Sequence, residues 1–374
     1  MKILITGAGG LIGWHTAARL HSENCSAQFK GKTAPYEIAA LDHAGFEDGG
    51  RLRQALIGAD VVLHFAGVNR GADDEVEQGN IAIAAELVSA CRAVNATPHI
   101  VYANSTHAQS DTPYGRSKRL AAEKLSALGG GFTNLILPHI FGECARPRYN
   151  NVTATFVEAV IAGQLPHMNP DGHVALLHAG AAADAAIAAG LSRRSGDFAS
   201  EARPISVAAL FDRLTNFHNN YQANIFPDLS DSFDLALFNT YRAALYPSGF
   251  PRALTLHTDP RGSLFEAVKG GGGGQSFVSW TKPGITRGDH FHLRKVERFL
   301  VLQGEAIIRI RRVLGGPVWE YRVSGDQPAP IDMPTLHTHN ITNIGDTPLL
   351  TLFWTHDLFN PAAPDTYADP VQKA

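Results

Sequence analysis

The sequence contains few cysteines and no long apolar run. Its three cysteines, Cys25, Cys91 and Cys144, form no CxxC pair, so we expect free, buried thiols in a reducing compartment. No apolar run reaches the ~18 residues of a membrane-spanning helix. KILIT at the N-terminus leads into a glycine-rich turn rather than a signal-peptide cleavage site. These absences predict a cytoplasmic protein without a membrane partner.

A strong charge of either sign is also missing. The formal net charge is −3 and no basic block occurs, which argues against a nucleic-acid partner. Hydrophobic residues make up 44% and charged residues 18% of the chain, as expected of a soluble globular protein. A length of 374 residues predicts two domains, because one domain typically holds about 100–200 residues.

Strand and helix patterns alternate along the first part of the chain. Predicted strands cover residues 2–6, 37–42, 60–67, 99–105 and 134–142, and predicted helices cover residues 51–59, 77–95 and 114–128. This alternation predicts an α/β domain of Rossmann type, a doubly wound parallel sheet with helices on both faces. Residues 151–248 are alanine-rich and mostly helical in pattern.

The pattern changes after PSGFPRAL, residues 247–254. Short strand patterns follow at residues 275–281, 296–303, 305–312, 318–323 and 349–355, separated by turns rich in Gly, Pro, Asn and Asp. Such spacing predicts an all-β module. We therefore expect two domains, residues 1–250 and residues 251–374.

A glycine motif, GAGGLIG, lies between the first strand and the first helix. Gly7, Gly10 and Gly13 let backbone atoms approach a dinucleotide pyrophosphate, and the helix N-terminus favours its charge. Asp42 ends the second predicted strand, where a carboxylate binds the ribose hydroxyls of NAD rather than the 2′-phosphate of NADP. The motif predicts dinucleotide binding, with a purely structural tight turn as the alternative. The adjacent His43 leaves the choice of dinucleotide open.

A second motif, YGRSK, supplies Tyr114 and Lys118. Residues i and i+4 share one face of a helix, and a nearby lysine cation is expected to lower the pKa of the phenol. The tyrosine can then exchange a proton with a carbonyl oxygen. Ser105, at the end of the preceding strand, can hydrogen-bond the same oxygen. An ordinary surface helix is the alternative.

TGAGGLIG, HFAGVNR, YGRSK and LPHIFGE together resemble the extended short-chain dehydrogenase/reductase family. The resemblance implies a nucleotide-sugar substrate and a catalytic set of Ser105, Tyr114 and Lys118, with Thr106 as the neighbour that could take the place of Ser105. The expected dinucleotide contacts are Gly7, Gly10, Leu11, Ile12, Gly13, Asp42, His43, Ala66, Gly67, Tyr114, Lys118 and Pro138.

Near the other end, GDHFHLRKVE spaces His290, His292 and Glu297 as HxHx4E, and THNITN adds His339. Residues i and i+2 of a strand face the same way, so the two nearby histidines aim at one point. We expect Glu297 on the next strand and His339 on a strand paired across the barrel. Three histidines and a carboxylate suit one divalent metal, Zn²⁺ and equally Ni²⁺, Fe²⁺ or Mn²⁺. Zinc is the metal that we expect. Core histidines without a metal are the alternative.

This pattern resembles the double motif of the cupins, with Leu336 where a glycine is usual, which should strain the second turn. His337 is either a substrate contact or a competing ligand. DPRGSLFE resembles the opening of deoxysugar 3,5-epimerase barrels, in which Arg261 is a candidate phosphate fork. The expected substrate contacts are Asn69, Asn150, Arg261, Lys295 and His337.

Along the whole chain, AGVNR, PYGRSK, PRYNNVTATF, RGDHFH and THNITNIGDTP resemble the bifunctional capsular-polysaccharide enzymes that make UDP-2-acetamido-2,6-dideoxy-L-talose. The resemblance implies C3 epimerisation of a UDP-sugar in the cupin, then C4 ketone reduction with NADPH; NADH stays possible because of Asp42. A homodimer is expected. Two alternatives stay open: a 4-keto-sugar enzyme whose cupin only binds or dimerises, and a non-enzymatic sugar-nucleotide binding protein.

Overall fold

The apolar segment KILIT forms an inner strand of a six-stranded parallel sheet. The computed structural model describes residues 1–169 and 171–372 and gives this sheet the order β2-β1-β3-β4-β5-β8. The strands are β1 Lys2–Thr6, β2 Glu37–Leu41, β3 Val61–His64, β4 His99–Ser105, β5 Phe132–Leu137 and β8 Gly196–Ala199.

Helices cover both faces of this sheet. They are α1 Leu11–Phe29, α2 His43–Glu47, α3 Gly49–Leu56, α4 Asp73–Ala93, α5 Pro113–Ser126 and α7 Ala179–Ser192, with a 3₁₀ turn at Thr106–Gln109. Leu4 belongs to one apolar cluster, whereas its neighbours Ile3 and Ile5 belong to another on the opposite face. A strand buried on both faces needs a continuous apolar run. The predicted doubly wound α/β fold is confirmed.

The alanine-rich region is less helical than its pattern predicts. The predicted strand 134–142 is two strands, β5 and β6 His139–Phe141, and β6 pairs with β7 His173–His178, which pairs with β9 Arg203–Ser206. Strand β8 also falls in this region. These strands are short, and part of each is exposed, so they lack a strong apolar alternation.

Two antiparallel sheets form the C-terminal part. One has the order β14-β21-β16-β19, and the other β18-β17-β20-β15-β22. Their strands are β14 Gln275–Thr281, β15 Thr286–Phe291, β16 Glu297–Gln303, β17 Glu305–Arg312, β18 Trp319–Ser324, β19 Ile331–Met333, β20 His337–Asn343, β21 Leu349–Thr355 and β22 Tyr367–Ala368. Both sheets contribute to one apolar core, which confirms the predicted all-β architecture.

The remaining elements are three helices and two small strand pairs. The helices are α6 Val152–Ile161, α8 Val207–Gln222 and α9 Ser232–Leu245; the pairs are β10 Ile225–Phe226 with β13 Lys269–Gly270, and β11 His257–Asp259 with β12 Gly262–Leu264.

The two units that the contacts define differ from the predicted domains. One unit comprises Met1–Thr155 and Met168–Ala208, and the other comprises Phe156–His167 and Ala209–Ala374. Helices α8 and α9 therefore belong with the antiparallel sheets, not with the parallel one. In α9, the fully buried Arg242 donates a hydrogen bond to the Met333 carbonyl of β19 at 2.7 Å. The sequence pattern changes near residue 250, where the β segments begin. The packing changes earlier in the chain, near residue 208.

One cysteine departs from expectation. Cys25 and Cys91 are buried free thiols, whereas Cys144 is exposed. It lies in the loop between β6 and α6. No helix within the described residues is long and apolar enough to cross a membrane.

Candidate functional site

The glycine-rich turn joins β1 to α1 in a conformation that needs glycine. Gly7 has φ +70°, and a Cβ there would lie 2.7 Å from the Ala66 nitrogen. A Cβ on Gly13 would lie 2.2 Å from the Gly7 carbonyl oxygen, so a side chain would force the helix away from the turn. Gly10 is the N-cap of α1 and offers no side chain to its free N–H groups. The geometry fits a bound pyrophosphate.

The other expected dinucleotide contacts follow strands of the same sheet. Leu11 and Ile12 open α1, Ala66 and Gly67 follow β3, and Pro138 follows β5. The carboxyl ends of parallel strands meet at one edge, so these residues share the edge at which such folds bind nucleotides.

Asp42 is placed differently from its predicted role. It caps α2, and its carboxylate accepts a hydrogen bond from the Gly45 nitrogen at 2.8 Å. A Cβ on Gly45 would lie 3.2 Å from that carboxylate and 3.3 Å from an Arg51 guanidinium nitrogen. His43 is exposed and pairs with Glu47 at 3.3 Å. The Asp42 carboxylate, which we expected to select NAD, thus caps a helix instead, and the Arg51 guanidinium lies close by.

The loop after β3 is held by a buried asparagine. Asn80 Oδ1 accepts from the Val68 nitrogen at 3.0 Å, while its Nδ2 donates to the Val68 carbonyl at 2.7 Å and to Ser117 Oγ at 3.1 Å. Farther along, the exposed Asn150 donates to the Asn69 carbonyl at 2.5 Å. The two predicted substrate residues therefore meet.

Ser105 and Tyr114 come together as expected. Burial raises the pKa of Tyr114, and a side-chain hydrogen bond with Ser105 acts to lower it. Ser105 also accepts from the His107 nitrogen at 3.2 Å, which fixes the serine at the end of β4. Thr106 is exposed in the following 3₁₀ turn, which favours Ser105 as the partner of the phenol.

Lys118 does not act on Tyr114 as its spacing predicts. Its ammonium donates to the Ala103 carbonyl at 2.6 Å and lies 4.1 Å from the centre of the Tyr102 ring. Burial lowers the pKa of Lys118 to about 7. The net pKa of Tyr114 is raised, not lowered, and Lys118 is not among the groups that shift it. The i, i+4 spacing gives a shared face, but the lysine turns inward to the strand.

In the C-terminal unit, four predicted ligands converge. His290, His292, Glu297 and His339 each offer one ligand atom, and these atoms lie within 4.8 Å of one another. His339 lies directly opposite His290 in the ladder between β15 and β20, and Glu297 comes from β16 of the other sheet. The four predicted ligands converge, and His339 lies on a strand that pairs with the strand of His290.

Hydrogen bonds fix which imidazole nitrogens face the cluster. His292 Nδ1 lies 2.6 Å from the Asp365 carbonyl, and His339 Nδ1 lies 3.1 Å from the His337 carbonyl. A carbonyl only accepts, so each Nδ1 carries the proton and each neutral ring leaves a lone pair on Nε2. Those Nε2 atoms lie 3.0 and 3.3 Å from Glu297 Oε2. Lone pairs on Nε2 that face a carboxylate suit a cation bound between them, so these residues fit a divalent metal.

The pKa shifts show that Glu297 attracts positive charge to this point, which a proton on His292 supplies when no metal ion is bound. Burial lowers the pKa of His290 to about 3. Burial also acts to lower that of His292, but the Glu297 carboxylate outweighs it, so the pKa of His292 is raised. The Glu297 pKa is well below its usual value because the histidines outweigh burial. Glu297 therefore stays an anion that attracts positive charge.

A second cluster, in the N-terminal unit, contrasts with the first. His178 Nδ1 accepts from the Gly180 nitrogen at 3.2 Å, so its Nε2 carries the proton and donates to Glu143 at 2.7 Å. His15 Nε2 faces the Glu143 backbone carbonyl at 3.2 Å and donates to it. Both Nε2 atoms are donors without a lone pair for a metal. This trio is a hydrogen-bonded link between α1 and the start of α7.

A cavity of about 210 Å³ opens onto three of the four ligands, His290, His292 and Glu297. It is lined by Gln275, Phe277, His290, His292, Lys295, Glu297, Thr355, Asp357, Phe359 and Thr366. Lys295, a predicted substrate residue, is therefore placed at this site. A larger cavity, about 570 Å³, lies beside α7 and β8 and contains no predicted site residue.

Two other predicted substrate residues are not brought to this cavity. Arg261 is exposed in the β11–β12 turn, where its guanidinium forks onto Asp259 at 2.6 Å. His337 is buried, donates from Nδ1 to the Thr335 carbonyl at 2.8 Å and packs on Tyr246. It is outside the ligand cluster, so it does not compete for the metal. Leu336 has φ +59°, which confirms the predicted strain in the second turn.

Comparisons with known proteins agree with this geometry. The model of the NAD dependent epimerase/dehydratase family matches residues 3–197, and that of the polysaccharide biosynthesis C-terminal domain matches residues 257–367. The chain belongs to the NAD dependent epimerase/dehydratase family. It is an enzyme of the nucleotide-sugar reductase and epimerase class.

Relatives of this epimerase/dehydratase family enzyme match it over its whole length. UDP-2-acetamido-2,6-beta-L-arabino-hexul-4-ose reductase of Pseudomonas aeruginosa is 30% identical over 380 residues, covering 99% of each chain. The crystal structure of the capsular polysaccharide assembling protein CapF of Staphylococcus aureus is 30% identical with a TM-score of 0.57, covering 99% of this chain and 100% of that one. The predicted resemblance to capsular-polysaccharide enzymes is confirmed.

A more distant match concerns the fold alone. UDP-N-acetylglucosamine 4-epimerase of Methanobrevibacter ruminantium, in complex with UDP-N-acetylmuramic acid, is 17% identical with a TM-score of 0.53, covering 65% of this chain and 98% of that one.

Several residues at the candidate sites escaped prediction. Gln275, Asp357 and Thr366 line the cavity and Asp365 orients His292, but none carries a metal-ligand spacing. Asp365 begins the short sequence DTY near the C-terminus. That sequence indicates no site until the pairing of Tyr367 with β15 is known.

Proposed function

We propose that this chain is a bifunctional nucleotide-sugar enzyme. Its C-terminal unit, a cupin in this proposal, inverts C3 of a UDP-4-keto-6-deoxy-HexNAc, and its N-terminal unit then reduces the C4 ketone with NADPH. The product is a UDP-6-deoxy-talose-type sugar, UDP-2-acetamido-2,6-dideoxy-L-talose, for capsule or O-antigen synthesis. The name of the Pseudomonas aeruginosa relative, a reductase of a UDP-hexul-4-ose, supports the reduction.

The observation that carries the epimerase half is the cluster of four ligands, three of which line a cavity with acid–base groups. His290, His292 and Glu297 line the cavity together with Lys295 and Asp357. The three histidines and Glu297 would hold a zinc ion, and its positive charge would stabilise an enolate. A C-terminal unit that only bound the sugar or only dimerised would need no metal centre.

The proton balance of the epimerisation is simple. A ketone at C4 acidifies the C3 hydrogen, so a base can take the proton and leave the C–H electron pair delocalised onto the C4 oxygen. Return of one proton to the opposite face of C3 inverts the centre and restores the ketone. Lys295 and Asp357 are the groups we assign to these transfers, because each lines the cavity. No net redox change occurs.

The reduction uses the N-terminal unit. When bound, the dinucleotide supplies a hydride to C4. Tyr114 supplies the proton to the C4 oxygen, so one hydride and one proton convert the ketone to an alcohol. Ser105 hydrogen-bonds the phenol. Lys118, whose pKa burial lowers to about 7, can take or release a proton near neutral pH next to the same strand.

The surroundings of Asp42 support NADPH over NADH. Its carboxylate is held by the Gly45 nitrogen at 2.8 Å, while Arg51 approaches the same glycine. An arginine after the second strand accommodates the 2′-phosphate of NADP. We assign that role to Arg51.

A homodimer through β14 is part of this proposal. β14 is an edge strand, and Phe277, Val278 and Trp280 on it are 41%, 44% and 67% exposed. Apolar side chains on an edge strand invite pairing with another chain. We expect light scattering to give a dimer mass and Trp280→Glu to shift it toward the monomer.

Exchange in D₂O tests the division of labour. The full chain is incubated with a UDP-4-keto-6-deoxy-HexNAc without any dinucleotide. We expect deuterium at C3, lost after chelation and in His292→Ala, and retained in Tyr114→Phe. Absence of exchange by metal-replete wild-type protein would leave a reductase whose C-terminal unit only binds or dimerises.

A further inference from the structure

A segment near the C-terminus forms a strap that pairs with β15, the strand that carries His290. This C-terminal strap, residues 364–371, includes β22, in which Tyr367 pairs with Phe291 and Ala368 pairs with His290. Past β22, the Val371 nitrogen donates to Asp289 Oδ1 at 3.0 Å. The strap therefore contacts the backbone that carries the first ligand.

One residue of the strap holds the turn between two ligands. The Asp365 carboxylate accepts hydrogen bonds from three successive backbone nitrogens, those of Leu293, Arg294 and Lys295, at 3.0, 3.0 and 2.8 Å. These three residues directly follow His292 and lead to Glu297. A carboxylate that accepts hydrogen bonds from three successive N–H groups fixes the path of the backbone through such a turn.

The same residue also orients a ligand. The Asp365 carbonyl lies 2.6 Å from His292 Nδ1 and accepts its proton in a hydrogen bond, so the lone pair is on Nε2, which faces Glu297. Asp365 is nearly buried and has φ +45°, an unfavourable region for a side chain other than glycine. Such a conformation persists where the surroundings over-determine it. Here both its carbonyl and its carboxylate are committed to the ligand turn.

We propose that Asp365 is the positioning residue of the metal centre. Its carbonyl sets the tautomer and orientation of His292, and its carboxylate holds the turn that spaces His292 from Glu297. This inference rests on the metal centre of the proposed function. Partners of this kind typically contribute about 10–100-fold to metal affinity.

Zinc affinity of the full chain tests the proposal. Wild type, Asp365→Asn, Asp365→Ala and the control Asp326→Asn, a change at an exposed aspartate, are titrated with Zn²⁺ against a chromophoric chelator. We expect the alanine variant to bind about 10–100-fold more weakly. Asp365→Asn should lose less, because its amide oxygen still accepts from the turn, and the control should match wild type.

A further measurement separates the possible failures. The visible absorption of the Co²⁺-substituted protein reports ligand geometry, and we expect it to change in Asp365→Ala and not in the control. If Asp365→Ala does not fold, the same readouts are taken on Asp365→Asn. Wild-type zinc affinity and an unchanged cobalt spectrum in the folded variants would overturn the role of Asp365. Failure of wild type itself to bind Zn²⁺ would overturn the metal centre, and this role with it.

Discussion

Arg298 and Asp332 form a two-point ion pair that is fully buried. The guanidinium donates to the two carboxylate oxygens at 2.6 and 2.9 Å, and neither residue is exposed. Tyr221 of α8 donates to the same carboxylate. Arg298 also donates to Asn224 Oδ1 at 2.5 Å. The pair joins the end of α8 to strands β16 and β19.

We expect Arg298→Met to destabilise the C-terminal unit strongly, because it leaves a buried carboxylate without its cation. Breaking a buried pair on one side typically costs about 3–5 kcal/mol. The control Arg309→Met breaks the partly exposed pair with Glu320 and should cost at most about 1 kcal/mol. Urea unfolding followed by tryptophan fluorescence measures both. Equal losses would show that the buried pair contributes no more than an exposed one.

The same packing predicts where the chain can be divided. A chain ending at residue 250 keeps α8 and α9 but loses the strands against which Tyr221 and Arg242 are buried. We expect it to be less soluble than a chain ending at residue 208, which removes both helices. Soluble yield and gel filtration measure this. Equal behaviour of the two chains would favour the boundary near residue 250.

Tyr114→Phe removes the proposed proton donor and keeps the ring. General acid–base groups typically contribute about 10²–10⁴-fold, so ketone reduction should fall by that order. Proton exchange at C3 should be unchanged. Tyr36→Phe, which loses only an exposed bond to Glu23, is the matched control. Reduction by Tyr114→Phe at the control's rate would remove the tyrosine from the mechanism.

Lys118 predicts a pH dependence of stability. Its pKa is lowered from 10.5 in the unfolded chain to about 7 by burial, so the unfolded state binds more protons between these values. The free energy of unfolding contributed by this group therefore rises with pH, by at most about 1.4 kcal/mol per pH unit. Lys118→Met should remove that rise, seen by comparing urea unfolding at pH 7 and pH 9. The exposed Lys124→Met should keep it, and a wild-type-like slope in Lys118→Met would contradict the assignment.

Sequence reasoning found those parts of the sites that depend on local spacing. The HxHx4E pattern places His290, His292 and Glu297 through strand alternation and a short turn, and the structure brings them together. It did not predict which strand His339 pairs with, because the pairing of distant segments cannot be read from either segment alone. The i, i+4 rule put Tyr114 and Lys118 on one helix face, but which backbone carbonyl the ammonium reaches depends on the neighbouring strand.

Charge roles were also hard to predict from local pattern. Asp42 has the position of a ribose ligand, yet its carboxylate caps a helix that begins one residue later. Arg261 has the sequence surroundings of a phosphate fork, yet its guanidinium is paired with Asp259. In each case the side chain is already bound to a group two or three residues away along the chain, and this local partner was not predicted.

Arg51 gives the test of cofactor choice. If its guanidinium binds a 2′-phosphate, Arg51→Ala should weaken NADPH binding and leave NADH binding nearly unchanged, because NADH lacks that group. Hydrogen bonds between charged groups contribute about 1.5–3 kcal/mol, so the loss should be roughly 10–150-fold. Arg53→Ala on the same helix is the matched control, since it removes an equal charge two residues away. Fluorescence titration with each dinucleotide measures the affinities; equal losses for both dinucleotides, or equal effects of the two variants, would remove Arg51 from cofactor selection.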